Sequence, residues 1–425
     1  MKRTVSEGEG GGRKDGILGG NDEAAVGPHQ AIRLALLGAG PYAREIVVPI
    51  LLQLPAFHLK AVWSRTERSA AYLNSLSAGG SLETYWGGHF FRNELTPEKQ
   101  PYQQCHQEEG KNGGSGSGGG GGKEESGGGG EGASGMGSSD NTSRGLEDLL
   151  RRADIDGVVI ALPGLVTPSF VLRVLRAGKH VYSSGPIALD EKTGASLMQM
   201  YHAKFAAKLT WSVGMDIRYE SAFTKVRMML PDLGDVLGAQ LLAVRAVGAG
   251  DHATLAHLRK QANQPGGLLR EMLMPYVGIM RKILGDVACV AAFPSRHNEL
   301  FSTYDTLDGV IYFESGTSAT VSVSLASQGP SFLLTVTGTN GKFVVKNNTM
   351  QGGYTVQRCL QHFEHPMLHP TSGTAFAIQA WGEAVRHEQP DVWNTPVQAL
   401  HDLSVSMTLA QSKGMPIRFR EKGPN

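Results

Sequence analysis

Apolar and polar positions follow two regimes along the chain, and the change falls near residue 215. Before it, short apolar runs take turns with amphipathic stretches. Ile32–Leu37, Leu59–Trp63, Gly157–Leu162, His180–Ser183 and Leu209–Val213 read as buried strands. Ala43–Leu54, Thr66–Leu76, Leu146–Ala153, Pro168–Ala177 and Asp190–Phe205 carry helical spacing between them. Strand and helix in alternation predict an α/β, doubly wound parallel sheet over residues 31–215. Beyond Asp216 the period shortens to two. Ala239–Val247, Ala288–Ala292, Asp308–Glu314, Ala319–Leu325, Phe332–Thr337 and Phe343–Asn347 are strand candidates, with hairpin turns at Glu314–Ala319 and Gly338–Lys342. Leu268–Leu284, Phe376–Val385 and Val397–Gln411 are helical. Residues 216–425 are therefore expected to form an α+β unit with an open, mostly antiparallel sheet.

Two stretches stand outside this pattern. Residues 1–30 are polar and glycine-rich, with no apolar core of a secretory signal, and are read as a disordered tail. Gly110–Gly145 is about half glycine and is expected to be a flexible insert within the first unit. Loop closure grows slowly with length, so the flanks can share one fold.

Composition narrows the function classes. Lys plus Arg is 40 and Asp plus Glu is 39, with no long basic run, which argues against nucleic-acid and membrane-surface partners. Three dispersed cysteines, Cys105, Cys289 and Cys359, make no disulfide framework and fit a reducing, cytoplasmic setting. No apolar run is long enough for a membrane span. His362, His365 and His369 match no zinc spacing, so no metal is expected. Gly178-Lys179 lacks the upstream glycine of a P-loop. Met228, Met229 and Leu230, like Met272 and Met274, are read as core fillers.

One stretch carries chemistry. LALLGAGPYARE puts Gly38, Gly40 and Ala43 in a GxGxxA turn between a strand and a helix. Gly38 permits the tight turn, Gly40 the approach of a pyrophosphate, and Ala43 close packing of helix on strand. The helix start offers unpaired N–H groups to the phosphates. The second strand ends AVWSRTER, with Ser64 and Arg65 where an NAD site needs a carboxylate for the ribose 2′-OH. Hydroxyl and guanidinium suit a 2′-phosphate, so NADP is favoured over NAD. Tyr42 in the turn and the strand ends Leu162, Pro163 and Ser184 are further cofactor contacts.

AIRLALLGAGPYA, DIDGVVIALP, VLRVLRAGKHVYSSGPIA and GGLLREMLMPYVGIMRKILG, in this order, resemble the Gfo/Idh/MocA family, as do FLLTVTGTNGKFVV and the helix near WGEAVRHEQP. The resemblance implies a Rossmann unit, a second α/β unit whose sheet often forms an oligomer interface, and hydride transfer between a nicotinamide and a sugar or polyol. It also implies a Lys in a Glu-Lys-Pro turn, and a His with an Asp four residues before it. Here Ser184-Gly185-Pro186 stands in the turn, Glu271 stands for the Asp, and Pro275 for the His. Gly and Pro side chains move no proton, and general acid–base help is worth about 10²–10⁴-fold. Glu271, Tyr276 and Asp216 are the candidate replacements, and Arg218 and Tyr219 the candidate substrate contacts. Pro275 is expected to kink its helix, and Gly185 to need a positive φ. Two functions follow: an NADP-dependent oxidoreductase with a rearranged site, or a non-catalytic dinucleotide-binding sensor or scaffold.

Overall fold

The computed structural model describes residues 30–77, 81–87, 145–248, 250, 255, 258, 260, 262, 264, 267–329, 331–360 and 364–419. The readings of the N-terminal tail and the glycine-rich insert lie outside the described residues, except for Gln30 and Gly145.

The first sheet has six strands: β1 (Ile32–Leu37), β2 (Phe57–Ser64), β3 (Glu83–Trp86), β4 (Gly157–Ile160), β5 (His180–Ser184) and β6 (Trp211–Gly214). They lie in the order β3-β2-β1-β4-β5-β6, all parallel. The strands read as apolar runs because both faces are covered: all four residues of β4 are buried. The crossovers are α1 (Val48–Gln53), entered through a π-helical turn at Ala43–Val47, then α2 (Glu67–Ser75), α3 (Leu146–Leu150), α4 (Thr167–Arg176) and α5 (Glu191–Lys204). Asp190 caps α5, its carboxylate accepting from the Thr193 N–H at 2.8 Å. β3 is too short to have been read from its pattern.

The second sheet has nine strands. They are β7 (Val236–Val244), β8 (Val287–Ser295), β9 (Thr306–Phe313), β10 (Ser318–Ser324), β11 (Ser331–Gly338), β12 (Gly341–Asn347), β13 (Tyr354–Cys359), β14 (Met367–His369) and β15 (Ile417–Arg418), ordered β14-β13-β12-β11-β7-β10-β9-β8-β15. The β7–β10 pair is parallel and the others are antiparallel, so the sheet is mostly antiparallel as expected. Both hairpins form where predicted. At the second, Gly341 has φ +143° and leaves no room for a Cβ, which would stand 2.2 Å from the Cys359 carbonyl oxygen.

Burial alternates along β11, with one face packed under the helix α7 (Gly267–Leu284) and one open. Leu242, Phe293, Val310 and Tyr312 share the open face and stay 39%, 67%, 45% and 46% exposed. The helix α6 (Ser221–Met228) ends at Met228. Its Met228 is 72% exposed and fills no core, a correction: it is the helix's last residue, off the buried stripe of Ala222, Phe223 and Val226. Met274 is buried, and Met229, Leu230 and Met272 pack against a core.

The last two helices, α8 (Gly373–His387) and α9 (Pro396–Gln411), return to the parallel sheet. Trp381 of α8 stacks on Phe57 and packs tilted against Tyr182, and Leu400 and Leu403 of α9 join the core behind β5 and β6. Asp402 of α9 is fully buried and receives Arg218 at 2.6 Å and Arg281 at 2.7 Å. A charge at that depth is tolerable only when paired, and this pairing ties α9 to α7 and to the turn after β6. No helix among the described residues is long and apolar enough to cross a membrane.

Candidate functional site

The glycine turn sits at the C-terminal edge of the parallel sheet, where β1 and β4 diverge. The Gly38 N–H donates to the Trp63 carbonyl at 2.9 Å, which sets the turn beside the end of β2. Two glycines of the motif differ in their reasons. Gly38 is buried at φ +113°, and a Cβ there would stand 2.2 Å from the Ala161 carbonyl oxygen. Packing alone demands it. Gly40 is exposed, and a Cβ built on it meets nothing within 4 Å. The fold does not need a glycine there, whereas a pyrophosphate lying on the helix start does. Ala43 is fully buried against the sheet. The turn therefore fits a dinucleotide, with the N–H groups that open the π-helical turn as donors.

Ser64 closes β2 and is buried; Arg65, next in the chain, is exposed beside the turn. Arg44, which sequence reading passed over, lies on the same side, its guanidinium 5.3 Å from the Tyr72 ring. Its buried Nε has no partner among the described residues. Leu162 and Pro163 leave β4 at the same edge, Leu162 half-buried and Pro163 exposed. Ser184 ends β5 with its hydroxyl donated to the Ile160 carbonyl at 3.2 Å.

Gly185 does not hold a positive φ, contrary to expectation. Its constraint is crowding: its N–H donates to the Gly214 carbonyl at 3.0 Å, and a Cβ would stand 2.9 Å from that oxygen. Pro275 lies inside α7. α7 runs unbroken through it, because Leu273, Met274 and Val277 are buried on both sides. Glu271, Met272, Pro275 and Tyr276 form the half-exposed stripe of that helix, so 271 and 275 do share a face. Met215 lies between this helix and the β5 turn, 3.9 Å from a Cβ on Gly185 and 3.2 Å from one on Gly278.

The candidate replacement groups differ in what holds them. Glu271 is 37% exposed, 3.9 Å from the buried Arg270. Tyr276 stacks on Phe332 with centroids 5.7 Å apart, and burial pushes its phenol above the ordinary range. Asp216 is enclosed by hydroxyls. It accepts from Tyr42 at 2.5 Å, Tyr182 at 2.8 Å and Thr374 at 2.8 Å. Burial first, and the Asp216 charge second, raise both phenols, which keep their protons at neutral pH. Tyr182 and Thr374 escaped sequence reading because one lies mid-strand and the other begins a helix 158 positions from Asp216. Two glycines were the available signal. A Cβ on Gly214 would stand 2.3 Å from the Tyr182 hydroxyl, and one on Gly373 2.3 Å from the Asp216 carbonyl oxygen.

Arg218 and Tyr219, the candidate substrate contacts, are engaged by other groups of the chain. Arg218 is 1% exposed, and its guanidinium donates to Asp402 at 2.6 Å, to the Trp393 carbonyl at 2.8 Å and to the Gly278 carbonyl at 3.2 Å. The carboxylate buried on α9 draws it inward. The Tyr219 hydroxyl donates to Asp391, and its ring lies 5.6 Å from the Lys282 ammonium. Among the described residues, no three His, Cys, Asp or Glu side chains converge as a metal site; His362 lies outside them.

Residues 232–344 match the GFO/IDH/MocA C-terminal domain. Over 387 residues, 90% of this chain and 96% of the relative, the sequence is 24% identical to dehydrogenase FPY6 of Fusarium mangiferae. It is 27% identical over 211 residues to inositol 2-dehydrogenase of Rhizobium meliloti, covering 48% of this chain and 61% of that protein. The fold superposes on an oxidoreductase from Thermotoga maritima with TM-score 0.69 at 21% identity, covering 92% of this chain and 98% of the other. Residues 232–344 are thus a Gfo/Idh/MocA C-terminal domain, and they follow a parallel sheet of the dinucleotide-binding type.

Proposed function

We propose that the chain binds NADP(H) along the C-terminal edge of the parallel sheet and presents it to a sugar- or polyol-like ligand beside α7. In this reading residues 31–215 form the dinucleotide-binding unit and 216–425 the ligand and oligomerisation unit. The observation that carries it is the open space at Gly40, which the protein's own packing leaves unfilled. Ser64 and Arg65, at the end of β2 beside the turn, support a 2′-phosphate and hence NADP over NAD. The ligand class follows the relatives: inositol, the substrate named for one of them, is a polyol. The nicotinamide supplies or accepts a hydride when bound. Oxidising an alcohol then requires a side chain to take the hydroxyl proton as the hydride leaves.

A second reading, binding without turnover, is favoured by the cleft itself. Gly185 is closed in by the Gly214 carbonyl, Pro275 carries no titratable atom, and Asp216 is engaged by three hydroxyls. Glu271 is the group best placed for proton transfer, being half-exposed on the stripe shared with Pro275. The open sheet face with Leu242, Phe293, Val310 and Tyr312 supports a homo-oligomer formed through that sheet.

NADPH fluorescence titration separates these claims. Gly40→Val adds a branched side chain to open space, so the melting temperature should hold while NADPH binding disappears. Arg65→Ala should weaken NADPH by roughly 10–150-fold, the worth of a charge-assisted contact, and leave NADH unchanged. Retained affinity in Gly40→Val removes the site from the turn. With NADP+ as the hydride acceptor, a panel of aldoses and polyols followed at the nicotinamide absorbance decides the chemistry. Turnover abolished by Glu271→Gln establishes the oxidoreductase, and no turnover establishes the binding protein.

A further inference from the structure

We propose that Tyr42, tethered through its hydroxyl to Asp216, positions the nicotinamide half of the dinucleotide, with Tyr182 and Thr374 holding Asp216 in turn. The proposal rests on the cofactor reading above. Tyr42 leaves the glycine turn after β1, yet its hydroxyl ends 2.5 Å from Asp216, just beyond β6. In the sheet order β4 and β5 stand between β1 and β6, a spread of roughly 14 Å at ordinary strand spacing. The side chain therefore points away from β2, whose end carries Ser64 and Arg65. A dinucleotide crossing the turn with its adenosine over β2 has its other half on the side toward which Tyr42 points.

The anchor is built rather than incidental. Asp216 accepts from Tyr182 on one oxygen and from Tyr42 and Thr374 on the other. These donors come from β5, the glycine turn and the first turn of α8. Room for them exists because Gly214 and Gly373 lack side chains, as their blocked Cβ positions show. At the same helix start, Glu220 accepts the Ser372 N–H at 3.0 Å, which fixes α8 against the turn after β6. The Tyr42 ring is half-buried against the core on the α1 side and held at both ends, by its backbone and by its hydroxyl. A flat surface fixed beforehand loses little freedom when a planar group settles on it. Asp216 thus acts as a positioning residue through Tyr42, not as the base for a substrate.

Two probes distinguish the halves of the cofactor. NADPH carries both, and adenosine 2′,5′-bisphosphate carries only the adenosine half. Calorimetric titration of the full chain with each should show Tyr42→Phe and Asp216→Asn losing roughly five- to thirtyfold for NADPH while the bisphosphate binds as it does to the native protein. Thr374→Val should show the same selectivity with a smaller loss. Equal losses for both probes, or no loss for either, overturn the assignment. Tyr42→Phe deletes a single oxygen from a half-buried side chain, so it decides the matter even where Asp216→Asn does not fold. A native protein that binds neither probe refutes the cofactor reading itself, a result distinct from any difference between variants.

Discussion

At the scale of residues, identity and environment separate. Gly38 and Gly40 belong to one motif, but only Gly40 has a ligand-shaped reason to be glycine. Lys282 shows the converse, a surface-type residue made internal. It is 3% exposed and donates to the Arg218 carbonyl and to Thr224, between the Tyr219 and Trp393 rings. Burial first, then the Arg218 and Arg227 charges, lower its pKa to about 8. Below that pH the lysine is charged in folded and unfolded chains alike, and the fold bears the cost of burying it. Between about 8 and the unfolded value near 10.4, the folded state releases its proton first, so stability rises with pH in that window. Urea unfolding at pH 7.5 and 9.5 should therefore move the native protein upward by about 2 kcal/mol relative to Lys282→Met. A difference that stays constant across these pH values means that Lys282 titrates as an ordinary lysine.

At the scale of elements, the helix α7 is where the sequence pattern and the local rule conflict. Proline inside a helix removes one hydrogen bond and costs about 3 kcal/mol. α7 persists because Leu273 and Val277 pack into the core of the second sheet and Met274 into that of the first. Its half-exposed stripe then presents Pro275 beside Glu271. Pro275→Ala restores the N–H that the Glu271 carbonyl can accept, and should raise stability by roughly 1–3 kcal/mol, read from the urea midpoint. A loss of stability would falsify this and assign the ring a packing role in the cleft. The strongly patterned elements were legible: the strands of the parallel sheet other than β3, α5 and α7 itself. The short β3, β14 and β15 and the turn after β6 were not, since a few residues carry too little period to register.

At the scale of the molecule, the chain crosses between its two sheets more than once. The final helices belong to the core of the parallel sheet, and the Arg218–Asp402–Arg281 cluster binds them to α7. What remains uncovered is the outer face of the nine-stranded sheet. Leu242, Phe293, Val310 and Tyr312 lie on neighbouring strands β7, β8 and β9, with β10 among them. Such a face suits a second copy of the chain, with a two-fold axis through the sheet. Sedimentation at micromolar concentration should give a dimer for the native protein. Tyr312→Asp, which sets a charge in the middle of that face, should give a monomer with an unchanged melting temperature. A native monomer at that concentration leaves the sheet face without this role.

The sequence by itself determined the sheet types and the dinucleotide turn, because period and glycine placement are local properties of backbone and side chain. It also fixes Gly185 and Pro275 as side chains that move no proton, a matter of residue type at two positions. What only the tertiary structure decided was the use of each polar group. Arg218 and Tyr219 follow a strand end and look available, yet carboxylates far along the chain engage both, Asp402 from α9 and Asp391 from the segment before it. Asp216 reads as a free base but is enclosed by hydroxyls from a turn, a strand and a helix far apart in the chain. A buried charge is settled by whichever partner the fold brings to it, and that partner has no fixed place along the sequence.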